Sequence, residues 1–263
     1  VVSEAREVES GATKDRTLNV VLSLATAIRE EWLRELFPHE FTESRNVSYD
    51  PAQRRVIARD EVRFRDLVLR EKISDKPPGD EAAAILPREV AAGRCRLENW
   101  DESVEQWILR VNRLREWMPE LELPAIREMD RLSIFEHICH GALSYNEIRN
   151  RPVLSLIKTW LSRRQQAWIE EYAPERMQLP GGRTVKVIYS VDAPPTIAAR
   201  IQDLYSVKNA LRIASGRVVL RIEVLAPSNR PVQVTDDLSN FWSDTYPKLK
   251  HELRRRYPKH EWR

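Results

Sequence analysis

Histidines, cysteines and paired acids are the side chains that could hold a metal or attack a substrate, and this chain uses them sparingly. His137-Ile138-Cys139-His140 is its one dense group of potential ligands. On a helix His137 and His140 would share a face, as metal ligation requires, but no second cluster supplies the remaining ligands, so packing at a helix end is the preferred reading. His39, His251 and His260 suggest no carboxylate or nucleophile partner. Asp236-Asp237 has the composition of half a nuclease-type metal site, yet it stands where a strand gives way to a helix and reads as a cap. Ser155, Ser162 and Ser239 fall in helical contexts and not on the strained turn that exposes a nucleophilic serine. Cys95 and Cys139 form no CxxC pair, which argues against a zinc ribbon or a disulfide scaffold. A reducing cytoplasm is therefore the expected compartment.

Glycine usage excludes another class. The seven glycines stand at 11, 79, 93, 141, 181, 182 and 216, and no GxGxxG or GxxxxGK[ST] can be built from them. A loop that wraps nucleotide phosphates needs several glycines so that successive N–H groups can approach the anion. Residue chemistry alone thus points to binding or scaffolding.

Charge is uneven along the chain. The net of +3 divides into −4 over residues 1–172 and +7 over residues 173–263. From Pro247 onward seven Lys and Arg face only two Glu. Such a block is the footprint of a polyanion partner or, equally simply, a solvated basic helix.

The elements that must position these charges follow from pattern. The 263 residues suit about two domains of ~100–200 residues, and three sections are legible. In residues 1–74 the spacing predicts strands over Val1–Glu9 and Thr17–Ile28, a turn over Gly11–Arg16, and a helix over Arg29–Phe37 stopped by Pro38. Asp50-Pro51-Ala52-Gln53 then marks a hairpin, and short strands follow through Leu67-Val68-Leu69. Five strands and one helix fit a small OB-like β-barrel. Asp75 to Asp80, with Pro77-Pro78-Gly79, breaks the pattern.

Residues 81–172 form a helical module. Trp100, Val104, Trp107, Ile108, Val111, Leu114 and Met118 recur at three- and four-residue steps, the stripe of a buried helix face. Ile126, Met129, Phe135 and Ile138 outline a second stripe, and Leu154, Ile157, Leu161 and Trp168 a third. Residues 173–263 read as a mixed α+β domain. It has hairpins around Pro180-Gly181-Gly182 and Ala226–Arg230, a helix over Ile197–Tyr205, and another from Leu238 into the basic tail. Phe241 and Trp242 are assigned to the core. The expected fold class is multidomain α+β: an OB-like barrel, a helical middle section and a mixed C-terminal domain.

One resemblance is specific. Arg230-Pro231-Val232-Gln233-Val234-Thr235-Asp236-Asp237-Leu238, Phe241-Trp242, Tyr246 and Arg256-Tyr257-Pro258-Lys259-His260-Glu261-Trp262 resemble the terminal signature of bacterial HrpB-type, DEAH-box-related ATP-dependent RNA helicases. Pro180-Gly181-Gly182-Arg183, Pro194-Pro195 and Ala199-Arg200-Ile201-Gln202-Asp203-Leu204 agree with that signature. So, near the start, does Ile28-Arg29-Glu30-Glu31-Trp32-Leu33 through Pro38. The similarity is collinear across nearly the whole chain and closest over 173–263.

The resemblance implies an accessory C-terminal region of a helicase whose motor domains bind ATP and Mg. Neither cofactor is expected on these residues, and the region itself is expected not to be an enzyme. Single-stranded RNA or DNA and the motor domains of the same parent chain are the implied partners. Arg54, Arg55, Arg63 and Arg65, with Arg45 and Arg59, either line a cationic groove of the barrel or pair with Glu43, Asp60, Glu61 and Asp66. Lys248, Lys250, Arg254, Arg255, Arg256 and Lys259 either neutralise phosphates or dock onto the motor domains. The alternative function is a protein-interaction module that recruits a partner or tethers the motor. No apolar run approaches the ~20 residues that span a bilayer, and the start of the chain does not read as a signal peptide.

Overall fold

In the computed structural model the backbone is described for residues 2–10 and 17–263, and side chains from residue 26 onward. The expected turn over Gly11–Arg16 lies outside the described residues. The chain divides into two compact units, one of residues 1–48 and 57–78 and another of residues 49–56 and 79–263.

The first unit is built from short antiparallel pairings. Strands β1 (Val2–Ser10) and β2 (Thr17–Ala25) pair antiparallel, with Val8 opposite Asn19. Helix α1 (Glu30–Leu36) ends where Pro38 opens a 3-10 turn. Strands β3 (Phe41–Asp50), β4 (Arg55–Phe64) and β5 (Leu67–Ser74) form a three-stranded sheet in that order. Five strands are present, but with other bounds than expected: β2 stops at Ala25, Val62–Phe64 continues β4, and a turn at Arg65-Asp66 separates it from β5. Among the described residues, however, they lie in separate sheets of two and three strands and close no barrel, so the OB-like expectation is not met. Strand count and order are local properties, whereas closure depends on which edges meet. The β3–β4 turn forms because the Asp50 carboxylate accepts the N–H groups of Ala52 and Gln53 at 2.8 and 3.0 Å.

That turn, Tyr49–Val56, belongs to the second unit. Here Val56 N–H donates to Leu143 O at 2.7 Å and Tyr145 N–H to Arg54 O at 2.9 Å. The helices of this unit are α2 (Gly79–Ala83), α3 (Ile85–Ala91), α4 (Glu102–Trp117), α5 (Arg131–Cys139), α6 (Tyr145–Ile148), α7 (Val153–Lys158) and α8 (Arg163–Tyr172). Helix α4 starts where the Asp101 carboxylate accepts from Ser103 N–H at 2.9 Å. Its predicted stripe is the core: Val104, Trp107, Ile108, Val111 and Leu114 are all buried, as is Met118 just beyond. Met129, placed by spacing in the second stripe, is 75% exposed, because residues 128–130 form a 3-10 turn whose period differs from that of an α-helix.

A five-stranded sheet follows. Its strands are β6 (Arg176–Gln178), β7 (Thr184–Ile188), β8 (Thr196–Arg200), β11 (Arg221–Leu225) and β12 (Pro231–Thr235). They lie in the order β12-β11-β8-β7-β6, with β8 and β11 parallel and the other pairs antiparallel. The sequence predicts a helix over Ile197–Tyr205; the structure instead has β8 and only a short helix α9 (Ile201–Leu204). Ile197 and Ile201 are both buried, and a four-residue spacing cannot distinguish one helical turn from a strand running into a turn. Pairing with two neighbours decides for the strand. The two-residue strands β9 (Arg212–Ile213) and β10 (Val218–Val219) make a small separate hairpin.

Two side chains of α4 hold its neighbours, Gln106 the end of β7 and Arg110 the end of α8. The Gln106 amide accepts from Tyr189 N–H at 2.9 Å and donates to Tyr189 O at 3.0 Å, as a neighbouring strand would. Arg110, 2% exposed, donates to Ala173 O at 2.6 Å and to the Glu170 carboxylate at 2.7 Å. The chain closes with α10 (Leu238–Asn240), a π-helical turn over Phe241–Thr245, and α11 (Tyr246–Arg256). Among the described residues no helix is long and apolar enough to cross a membrane.

Candidate nucleic-acid interface

The terminal helical run is capped where the sequence expects it. The Asp237 carboxylate accepts the Asn240 N–H at 3.0 Å and Thr235 Oγ1 accepts the Asp237 N–H at 3.1 Å. Leu238, Phe241, Tyr246 and Leu253 are buried and fix the inner face. Pro247 lacks an N–H, so the i→i−4 ladder is broken just after the π turn, a natural place for the wider winding.

The outer face carries cations. Lys248 is held by Asp244 at 2.6 Å. Arg254, Arg255 and Arg256 occupy the last turn of α11 and are exposed, as is Lys259 beyond it, while Lys250 is half-buried. Among the described residues none of these five has an ion-pair partner. The Arg256 guanidinium lies 5.9 Å from the Tyr257 ring centroid. The tail is tied down around them: Tyr257 Oη bonds Ser228 Oγ at 2.7 Å, and the Trp262 indole donates to Tyr257 O at 3.1 Å. The cationic surface therefore stands on an ordered support.

The arginines of the first unit differ. Arg45 pairs with Asp60 at 2.6 Å, Arg59 with Glu71 at 3.0 Å, Arg63 with Glu61 at 2.8 Å and Arg65 with Glu40 at 3.2 Å. Hydrogen bonding to Arg45 holds the Asp60 carboxyl below the usual carboxylate range, and Arg34, then Arg70, do the same for Glu30. These carboxylates largely neutralise the sheet's cations. In the turn, the Arg54 guanidinium lies 3.9 Å from the Tyr145 ring centroid, and Arg55 forms a β-bridge with Ser144. The ten candidate cations thus fall into three settings. Arg254, Arg255, Arg256 and Lys259 combine exposure with the absence of an ion-pair partner and stand together in one segment, whereas Arg54, also exposed and without a carboxylate partner among the described residues, stands apart in the turn against Tyr145.

The other chemistry-bearing residues have structural roles. His137 Nε2 lies 3.2 Å from Thr159 Oγ1 and His140 is the C-cap of α5. Burial pushes the Cys139 thiol up to about 11, keeping it protonated at neutral pH. Among the described residues no three His, Cys, Asp or Glu side chains converge as a metal site would require. Gly181 and Gly182 make the β6–β7 turn, with Gly182 N–H bonded to Leu179 O at 2.8 Å, and do not form a strand-to-helix phosphate cradle.

One aromatic escapes its assignment. Phe241 is buried as expected, but Trp242 is only half-buried and edges an open cleft with Tyr205. The two rings are 37 positions apart in sequence, so spacing gives no signal of their meeting.

Comparison with known proteins is consistent across three measures. Residues 135–263 match the family HrpB_C, described as ATP-dependent helicase C-terminal. The ATP-dependent RNA helicase HrpB of Escherichia coli strain K12 is 29% identical over 248 residues, covering 92% of this chain and 30% of that protein. A crystal structure of the E. coli DExH-box NTPase HrpB superposes with a TM-score of 0.68 at 28% identity, over 93% of this chain and 31% of that one. A second, of the Escherichia coli DEAH/RHA helicase HrpB, gives 0.62 at 26% identity, over 93% and 30%. This chain spans about 30% of the length of these relatives.

Proposed function

Since this chain corresponds to the C-terminal region of HrpB-type helicases, we propose that it is a non-catalytic accessory region of an ATP-dependent RNA helicase. In this reading it contributes contact with single-stranded nucleic acid, and the motor domains of the same parent chain supply ATP binding and hydrolysis. The observation that carries the reading is the unpaired cationic face of α11 and the tail, Lys250, Arg254, Arg255, Arg256 and Lys259. A translocating motor holds its strand without reading sequence, and exposed cations on a fixed support bind phosphates in that way. Among the candidate cations the first unit contributes least, because Arg63 and Arg65 already have carboxylate partners.

The test is titration of a fluorescent 20-mer of single-stranded RNA with this chain, read by anisotropy at about 50 and about 200 mM salt. Binding that weakens steeply with salt is expected; no binding at the lower salt refutes the reading.

A second reading is favoured by one observation. Trp32, Leu36 and Phe37 of α1 and its C-cap are 49%, 71% and 42% exposed, an apolar surface suited to docking on the motor domains. If the RNA titration fails, binding to the motor domains is the outcome this reading expects.

A further inference from the structure

The cleft edged by Trp242 encloses about 440 Å³ and is lined by Tyr205, Val207, Lys208, Ser239, Trp242 and Ser243. We propose that it receives one unstacked nucleobase of the strand held by α11, an inference that rests on the RNA-contact reading above and extends it to a defined subsite.

Its construction suits that ligand. The Trp242 and Tyr205 rings meet with centroids 5.7 Å apart and planes tilted by 42°, giving an aromatic wall. Tyr246 braces both, edge-on to Trp242 at 5.0 Å and with its hydroxyl 3.0 Å from that of Tyr205. The Trp242 indole donates to Val207 O at 2.9 Å, which stops the ring from turning away. A wall held in this way loses little side-chain freedom when a base stacks on it.

The polar groups are placed to complement it. Ser239, Trp242 and Ser243 are three and four residues apart, so both hydroxyls lie on the same helical face as the indole. The π turn over Phe241–Thr245 carries Trp242 and Ser243, and such local rewinding recurs at functional sites. Lys208 is exposed and, among the described residues, has no carboxylate partner; none of the six lining residues is acidic. A hydroxyl can bond any base edge, while an ammonium serves the phosphate beside it. The volume matches a small-molecule site of the size a nucleotide needs.

The cleft is also continuous with the cationic tail. Tyr205 Oη donates to Glu261 O at 3.1 Å, and the Arg263 guanidinium lies 5.4 Å from the Tyr205 ring centroid. Tyr246 begins α11, and Arg255 lies about 13 Å further along that helix at 1.5 Å per residue. A strand with one base in the cleft can therefore present neighbouring phosphates to the triple arginine.

The test compares two labelled 20-mers, oligouridine and an abasic ribose-phosphate strand of equal length, at low salt. The wild-type chain is expected to bind oligouridine more tightly by about 5- to 150-fold, the worth of one base–aromatic stack. Trp242→Leu is expected to abolish that preference and leave affinity for the abasic strand unchanged. Equal binding of both strands by wild type and variant overturns the cleft while retaining the RNA-contact reading; no binding of either strand by wild type overturns both. If Trp242→Leu fails to fold, Lys208→Ala and photo-crosslinking of 4-thiouridine RNA decide. Weaker binding by Lys208→Ala together with a crosslink on Trp242 or Tyr205 supports the subsite. Crosslinks confined to α11 overturn it.

Discussion

Replacing Arg254, Arg255 and Arg256 together by Gln separates phosphate binding from helix stability. The structure sets the expected size. Five cations without carboxylate partners, Lys250, Arg254, Arg255, Arg256 and Lys259, face the solvent side of α11 and the tail. If each neutralises one phosphate of a single strand, the log–log salt slope is near −3.5, at about −0.7 per contact. Affinity should then fall about 130-fold between 50 and 200 mM salt. With three cations removed the slope drops to about −1.4 and the fall to about 7-fold. Gln is chosen over Glu because the three arginines also occupy the last turn of α11. A cation there typically contributes about 0.3–1 kcal/mol through the helix dipole, and an anion would reverse that contribution. The neutral triple variant should therefore lose about 1–3 kcal/mol and melt about 2–12 °C lower. Anisotropy titrations at four or five salt concentrations, with a thermal melt on the same samples, measure both quantities. A wild-type slope that survives the substitution would show that phosphates are bound elsewhere, and a large melt change with unaltered binding would make the arginines structural.

Other expectations follow from buried groups. Arg110→Leu orphans the buried Ala173 carbonyl, which accepts from Arg110 at 2.6 Å, and should cost about 3 kcal/mol, lowering the melt of a unit of this size by about 6–12 °C. Glu170→Gln should cost only about 0–1 kcal/mol, because that carboxylate is 51% exposed; equal costs for the two variants would contradict the reasoning. Burial pushes the Tyr189 and Tyr246 phenols above their ordinary value of 10.0. The unfolded chain therefore loses these protons first, so stability is full below about pH 10 and declines above it. Melts between pH 8 and 11 should show that decline, with a shallower slope for Tyr246→Phe. Asp237→Ala removes the cap on Asn240 N–H and should lower stability by about 1 kcal/mol in a denaturant titration.

What was legible in the sequence was what neighbouring residues decide among themselves. The Asp50 turn, the Pro180-Gly181-Gly182 turn and the Asp237 cap depend on contacts within a few positions, and the stripe of α4 on a three- and four-residue periodicity, so spacing and residue type suffice. The terminal signature was legible too, because its residues are contiguous. Tertiary structure decided the rest. The spacing within β8 is that of a helix, and the two neighbours that make it a strand, β7 and β11, lie on opposite sides of it in sequence, so their pairing leaves no local mark. The expected barrel depended on edge-to-edge closure, which strand count does not encode. The arginines looked alike in sequence, yet carboxylates as distant as Glu40 from Arg65 paired those of the first unit, while those of α11 were left facing solvent. Tyr205 and Trp242 likewise became one cleft only when the segments carrying them came together. Local pattern records the preferences of a segment; which charge is neutralised and which ring is left open is set by long-range neighbours that only the folded chain supplies.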